Sequence, residues 1–292
     1  MDAATRPAAI EIRPYQGFSW SALAELWGYR DLVWVMAARD LRVRYKQTLL
    51  GVAWVIMPPL LTMLVFNLLF GVLLGPDGRP GIAGVPYALT AFCALVPWQL
   101  FANAVRASGS SLINNRSLIS RVYFPRLVAP VAPVAGALVD FAIAFAVLLL
   151  LLAGYAMFTP FTFSWRPALL MLPVFTGLAV VTALSVSIWL AALGAMYRDF
   201  NLAGPYGIQL LMFLTPVVYS YDSVSAAFGA WGPLLFGINP MSGVVEGFRW
   251  ALLGGAAPPW PLLLTGCVMD LLLLAAGLRF FQRAEQTIAD VI

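Results

Sequence analysis

Side chains that could do chemistry are scarce in this chain, and the scarcity narrows what it can be. Histidine is absent, which removes histidine general bases, histidine metal ligands, and Ser–His or Cys–His nucleophile pairs. Lys46 is the single lysine and is followed by Gln47, so no Gly-x4-Gly-Lys-Ser/Thr loop exists to cradle nucleotide phosphates. Cys93 and Cys267 lie in apolar runs and read as small core hydrophobes. That leaves two carboxylates in long apolar stretches, Asp140 and Asp270. An ionised carboxylate in hydrocarbon costs several kcal/mol, so each must face a protein interior or be protonated. They could meet hydroxyls or water in a pathway, or hydrogen-bond between helices and fix packing. No catalytic residue and no metal site is expected from this inventory.

The elements that must position these groups follow from composition. The chain has 292 residues, 62% hydrophobic and 10% charged, with a mean hydropathy of +0.87. A soluble domain carries about a quarter of its residues as Asp, Glu, Lys or Arg. A water-soluble globule, a disordered chain and a coiled coil are therefore excluded, and an all-α integral membrane protein remains. About 20 apolar residues cross the roughly 30 Å hydrocarbon core. Charge-free windows then predict six transmembrane helices, near 52–74, 86–106, 128–153, 167–194, 203–221 and 259–281. Asp140 and Asp270 fall near the middle of the third and sixth. The charge-free stretch 223–245 holds Gly229, Gly232, Pro233, Gly237, Asn239, Pro240 and Gly243. A lipid-exposed span tolerates so many helix breakers badly. It is assigned to short surface helices or a re-entrant hairpin, with a seventh span as the alternative.

Positive charges orient the set. With both termini cytoplasmic, the inner segments hold Lys46 and every arginine except Arg79, Arg166 and Arg249. No signal peptide is expected, because no apolar run precedes Trp27. Residues 25–48 are too charged to cross and too apolar to float free. At 3.6 residues per turn Tyr29, Leu32, Val33, Met36 and Val43 gather on one face, and Asp31, Arg39, Arg42 and Lys46 on another. Trp27 and Trp34 suit the headgroup level. An amphipathic interfacial helix is predicted, the alternative being a plain basic flank.

Five segments, taken together, carry a resemblance. They are Arg39-Asp-Leu-Arg-Val-Arg-Tyr-Lys-Gln-Thr-Leu-Leu-Gly-Val-Ala-Trp54 running into Met57-Pro-Pro-Leu60; Leu95-Val-Pro-Trp98 with Asn114-Asn-Arg-Ser-Leu-Ile-Ser-Arg-Val-Tyr-Phe-Pro-Arg126; Tyr197-Arg-Asp-Phe200 with Phe213-Leu-Thr-Pro-Val-Val-Tyr219; Ile238-Asn-Pro-Met-Ser-Gly-Val-Val-Glu-Gly-Phe-Arg249; and the tail from Phe280. In order and spacing the chain resembles the permease subunits of bacterial ABC exporters for polysaccharides, which move lipid-linked O antigens, teichoic acids and capsule-like glycans. The resemblance runs from about residue 25 to the end and leaves 1–24 as an extension without a functional reading. It implies a homodimer in the bacterial cytoplasmic (inner) membrane, with 49–292 as the six-helix domain and a central channel. Two copies of a separate cytoplasmic ATPase would dock underneath and carry the ATP and Mg. No cofactor is expected on this chain, and no nucleic acid partner.

The resemblance also distributes roles. The loop 106–127 offers Arg116, Leu118, Ile119, Arg121, Tyr123, Phe124 and Arg126, more apolar surface than a connection needs. It would hold the helix that couples to the ATPase; the alternative is a basic loop on anionic lipid. Arg39, Asp40, Arg42, Arg44, Tyr45 and Lys46 belong to the interfacial helix. The channel is attributed to spans one and five, where Trp54, Thr62, Tyr206, Gln209, Phe213 and Tyr219 supply aromatic faces, hydroxyls and amides suited to sugars. Stripes of this kind are also ordinary packing. Because Asp140 and Asp270 sit on other spans, a packing role is favoured for both. The outer segment 222–258, with Asn239 and Pro240 opening a helix and Glu246 and Arg249 spaced to pair, would form paired gate helices; a solvated ion pair is compatible with that. Other classes remain: an ABC permease for a drug or lipid, a membrane-embedded glycan-processing enzyme, or a passive channel. Product formation by the purified protein alone would favour the enzyme, and nucleotide-independent flux the channel.

Overall fold

The computed structural model describes residues 21–46, 48, 51, 53–73, 85–159, 166–221, 228–254 and 258–291, and no strand occurs among them. Two helices precede the apolar body, α1 (Ser21–Gly28) and α2 (Arg30–Tyr45). Then come α3 (Ala53–Phe66, continuing as a π-helix over Asn67–Leu73), α4 (Tyr87–Gly109), and the one-turn α5 (Ser111–Asn114) and α6 (Arg116–Ile119). α7 spans Val128–Phe158; a 3-10 turn at Pro167–Met171 leads into α8 (Leu172–Met196), and α9 follows at Arg198–Leu214. A second 3-10 turn, Gly229–Trp231, runs into α10 (Gly232–Gly237), followed by α11 (Pro240–Leu253) and α12 (Trp260–Val291).

Among the described residues five helices are long and apolar enough to cross a membrane: Ala53–Phe70, Tyr87–Gly109, Val128–Phe158, Pro167–Met196 and Trp260–Glu285. The expected fifth span is the exception. Its helix, α9, begins earlier than residue 203 and has 17 residues, a rise of about 25 Å. It stops because Pro216 follows: the residue before a proline is pushed out of the helical region, and Thr215 sits at φ −90°, ψ 141°. Among the described residues the six expected spans thus correspond to five helices of full length and this shorter one.

α4 is the hub. It packs against α7 and α8 and is flanked by α3, α9 and α11, while α8 pairs with α12 and α2 with α7. Phe92, Leu95, Leu100 and Phe101 of α4 join Leu148 of α7, Phe175 of α8 and Phe248 of α11 in one continuous core. The long helices alternate in direction, so two ends form. One gathers Leu112, Leu127, Ala192, Phe281 and Ala284, with Leu26 and Ile119 against them. That end unites α1, the α4–α7 connection, the end of α8 and the last turns of α12. At the other end the start of α4 meets α11 and the chain that follows α9.

The α8–α12 seam contains Asp270, which is buried as expected for an intramembrane acid. Thr182 Oγ1 donates to its Oδ2 at 2.8 Å, and Trp189 Nε1 donates to the Leu273 carbonyl at 3.0 Å. Among the described residues no cation pairs with Asp270. The group works as an interhelical acceptor, and an amide oxygen can take the same bond. Asp270→Asn is therefore expected to leave the melting temperature of the purified protein nearly unchanged. Asp270→Leu, which removes the bond between the helices and leaves Thr182 only the Leu178 carbonyl of its own helix, should cost about 1 kcal/mol. Loss of function in the asparagine variant at full stability would show that the carboxylate has another task.

Candidate functional site

The site is built from the end of the bundle that holds the α4–α7 connection. α2 lies along the first turns of α7. Val33 and Met36 are buried with Phe124, Val128 and Ala132, Leu41 lies over Gly136, and Arg44 reaches Asp140. Positions 33, 36, 37, 41 and 44 thus form the inner face at helical spacing. Val43, expected on that face, is 72% exposed.

Asp140 is not an isolated acid. α7 has 31 residues, about 46 Å, and exceeds the roughly 30 Å hydrocarbon core by about 16 Å. Its charge-free part after Asp140, residues 141–158, extends about 27 Å by itself, so the helix is long enough to leave the carboxylate near one boundary of the hydrocarbon. There Arg44 Nη1 donates to Oδ2 at 2.7 Å and the Tyr45 hydroxyl donates to Oδ1 at 2.7 Å. Burial, then the hydrogen bond to Asp140, pushes the Tyr45 phenol up to about 12. It therefore stays a proton donor throughout the neutral range.

This pair forms one wall of a cleft of about 660 Å³. Trp54, Val55 and Pro58 of α3 form a second wall, and Gln99, Asn103 and Arg106 of α4 a third. Two guanidinium groups, one of them paired with the Asp140 carboxylate, two amides, a phenol and an indole face one space. Such a set can hold an anionic group and polar hydroxyls beside an apolar surface. Trp54 was expected in a pathway, whereas Arg44 and Asp140 were not assigned to one. Gln99, Asn103 and Arg106 were missed, although their spacing of four and three marks one polar face on a helix otherwise apolar.

A second hollow of about 420 Å³ lies on the other side of Arg44, between α2 and the α4–α5 turn. Here Arg39 Nη2 donates to Asp40 at 2.8 Å and to Asn115 Oδ1 at 2.6 Å, tying α2 to the α4–α7 connection. Arg42 and Lys46 are exposed. Within the connection itself Tyr123 is 70% exposed and Phe124 5%. Phe124 is thus core beneath α2 and cannot serve as an outward contact. Arg116 and Arg121 are exposed, Leu118 and Ile119 half-buried, and Arg126 reaches the Glu285 carbonyl of α12 at 2.5 Å.

The remaining stripe residues lie apart from the cleft. Tyr206, Gln209 and Phe213 are exposed on the face of α9 opposite the buried Ile208, and Thr62 is half-buried on α3. α3 and α9 both lean on α4, and neither is among the other's principal neighbours. At the far end, Asn239 caps α11 by accepting from the Met241 N–H at 3.2 Å, and Pro240 takes the first helical position, as such residues do. Glu246 and Arg249 do pair, at 2.9 Å. They are not a solvated pair: Arg249 is 2% exposed, so it drops out of the external charge count.

With this geometry in hand, comparison with known proteins decides the family. Residues 31–253, from α2 to the end of α11, match the ABC-2 type transporter family. The chain belongs to that family. It is also 28% identical over 263 residues to the O-antigen export system permease protein RfbA of Myxococcus xanthus, covering 90% of this chain and 96% of that one. A Klebsiella pneumoniae permease of the same name is 26% identical over 262 residues, covering 90% and 95%. An ABC-2 type membrane protein is multi-pass and helical, as found here. The family match takes in the cleft, the α4–α7 connection and the far-end cap together.

Proposed function

We propose that this chain is the permease subunit of an ATP-driven exporter of a lipid-linked polysaccharide. It would work as a homodimer with two separate ATPase subunits that hold ATP and Mg, and with both termini cytoplasmic. The observation that carries the reading is the cleft at the inner boundary. Arg44 and Arg106 suit the phosphate of a lipid-linked sugar, and Gln99, Asn103 and Trp54 suit its hydroxyls and C–H faces. The exposed apolar faces of α3 and α9 match a channel formed with a second copy. The RfbA relatives, named as O-antigen export permeases, support the substrate class. The exposed Tyr123 and arginines of the α4–α7 connection support ATPase docking at the same end.

The test is reconstitution with the cognate ATPase in liposomes. Lipid-linked glycan is expected to stimulate ATP hydrolysis and to cross, and Arg106→Gln should reduce stimulation about tenfold, the loss of one charge-assisted contact. Tyr123→Ala should lower co-purification of the ATPase while leaving the permease folded. Equal handling of an unlinked drug, or flux without nucleotide, would overturn the reading.

A further inference from the structure

The chain after α9 poses an accounting problem that one side chain solves. Pro216 ends the helix, and the carbonyls that follow lack helical partners in a setting without water to satisfy them. Arg249 Nη1 donates to the Pro216 carbonyl at 2.6 Å and to Tyr219 at 2.9 Å, and Nη2 donates to Val217 at 2.5 Å. The carbonyl between them, that of Val218, accepts from the Tyr87 hydroxyl at 2.8 Å. Four consecutive carbonyls are thus held by two side chains from different elements. Glu246 completes the arrangement, accepting from Arg249 Nη1 at 2.9 Å and from the Tyr221 N–H at 3.0 Å through the same oxygen.

The two sides of this contact differ in firmness. α11 buries 11 of its 14 residues, and Gly247 sits so close to Phe175 that an added Cβ would lie 2.9 Å from the ring. α9 buries only Ile208 among 17 residues. A rigid clamp therefore grips the end of a loosely held helix, and that helix carries the stripe Tyr206, Gln209 and Phe213.

We propose that Arg249, oriented by Glu246, is a positioning residue for the exit. It fixes the unwound Pro216–Tyr219 segment across the far mouth of the path, and opening that mouth breaks these carbonyl contacts. The proposal rests on the export reading only for the direction of movement.

The experiment uses the permease–ATPase complex with Cys93 and Cys267 replaced by alanine and Val218→Cys as reporter, read with a membrane-impermeant maleimide from the far side. The labelling readout needs no glycan, so a wrong substrate assignment does not affect it. Slow labelling is expected in the parent, rising about tenfold with Tyr87→Phe, the effect of one lost hydrogen bond, and further with Arg249→Lys. Export per ATP hydrolysed should fall in both. If the lysine variant fails to assemble, Tyr87→Phe carries the test, since its ring keeps the contact with Phe70 at 6.1 Å. Labelling within twofold of the parent in assembled complexes would overturn the proposal and leave Arg249 as packing.

Discussion

Asp140→Asn is expected to cost this protein most of its export while leaving the transmembrane bundle folded. The substitution keeps shape and an acceptor but removes the charge facing Arg44, 2.7 Å away. A charge-assisted hydrogen bond contributes about 1.5–3 kcal/mol. The Arg44 side chain is 44% exposed, so solvent screening reduces the figure to about 1–2 kcal/mol. That is still about a tenfold shift in how often α2 is seated on α7. Because the Tyr45 hydroxyl donates to the same carboxylate, α2 loses its anchor at the cleft. Protease cutting within 39–48 should quicken, and export should fall in proportion. Arg44→Gln in the Asp140→Asn background should recover part of the loss, because two amides can hydrogen-bond across the same contact. Full export by Asp140→Asn alone would show that the pair is dispensable.

How legible this was depends on what each signal measures. The apolar windows located α3, α4, α7, α8 and α12, since charge is costly in hydrocarbon whatever the tertiary fold. They gave no partner for Asp140, because hydropathy marks where a helix becomes apolar and says nothing of which groups on another element reach it. Phe124 and Val43 went astray for a related reason. A greasy residue in a basic segment has two explanations, partner contact and burial, and only the packing of α2 on α7 separates them. Glu246 and Arg249 were seen as a pair from their spacing. That Arg249 is buried could not be read locally, because its acceptors lie 30 or more residues away along the chain. The polar face Gln99–Asn103–Arg106 was readable and was overlooked.

The second large effect is expected at Gly194, where the end of α8 crosses the end of α4. A Cβ built there would lie 2.5 Å from the Gly109 carbonyl oxygen and 2.5 Å from Asn201 Oδ1. Asn201 in turn donates through Nδ2 to the Gly194 carbonyl at 2.7 Å, so it cannot swing away without losing that bond. The carbonyl of Gly109 belongs to a helix buried on nearly every side. Neither neighbour can yield, and overpacking of this kind costs about 1–3 kcal/mol or more. Gly194→Ala should therefore lower the melting temperature of the purified permease by several degrees and reduce its assembly with the ATPase. Gly177→Ala on the same helix, where an added Cβ meets nothing within 4 Å, is the matched control and should be neutral or slightly stabilising. Equal stability of the two variants would mean that α4 and α8 separate at this end more easily than the geometry implies.

The hub position of α4 also bears on how the protein is made. Its span is 89% buried within the chain and has a mean hydropathy of 1.5, the lowest of the five, whereas the α3 span is 11% buried at 1.9. A helix that lipid never touches is under no pressure to be greasy, and this one carries Gln99, Asn103 and Arg106. During synthesis, however, it leaves the ribosome before α7, α8 and α11, the helices that will surround it. In that interval the faces those helices will cover have no protein to meet. The burial that suits α4 to the finished transporter thus makes it the segment most dependent on the insertion machinery, which must hold it until the later helices close around it.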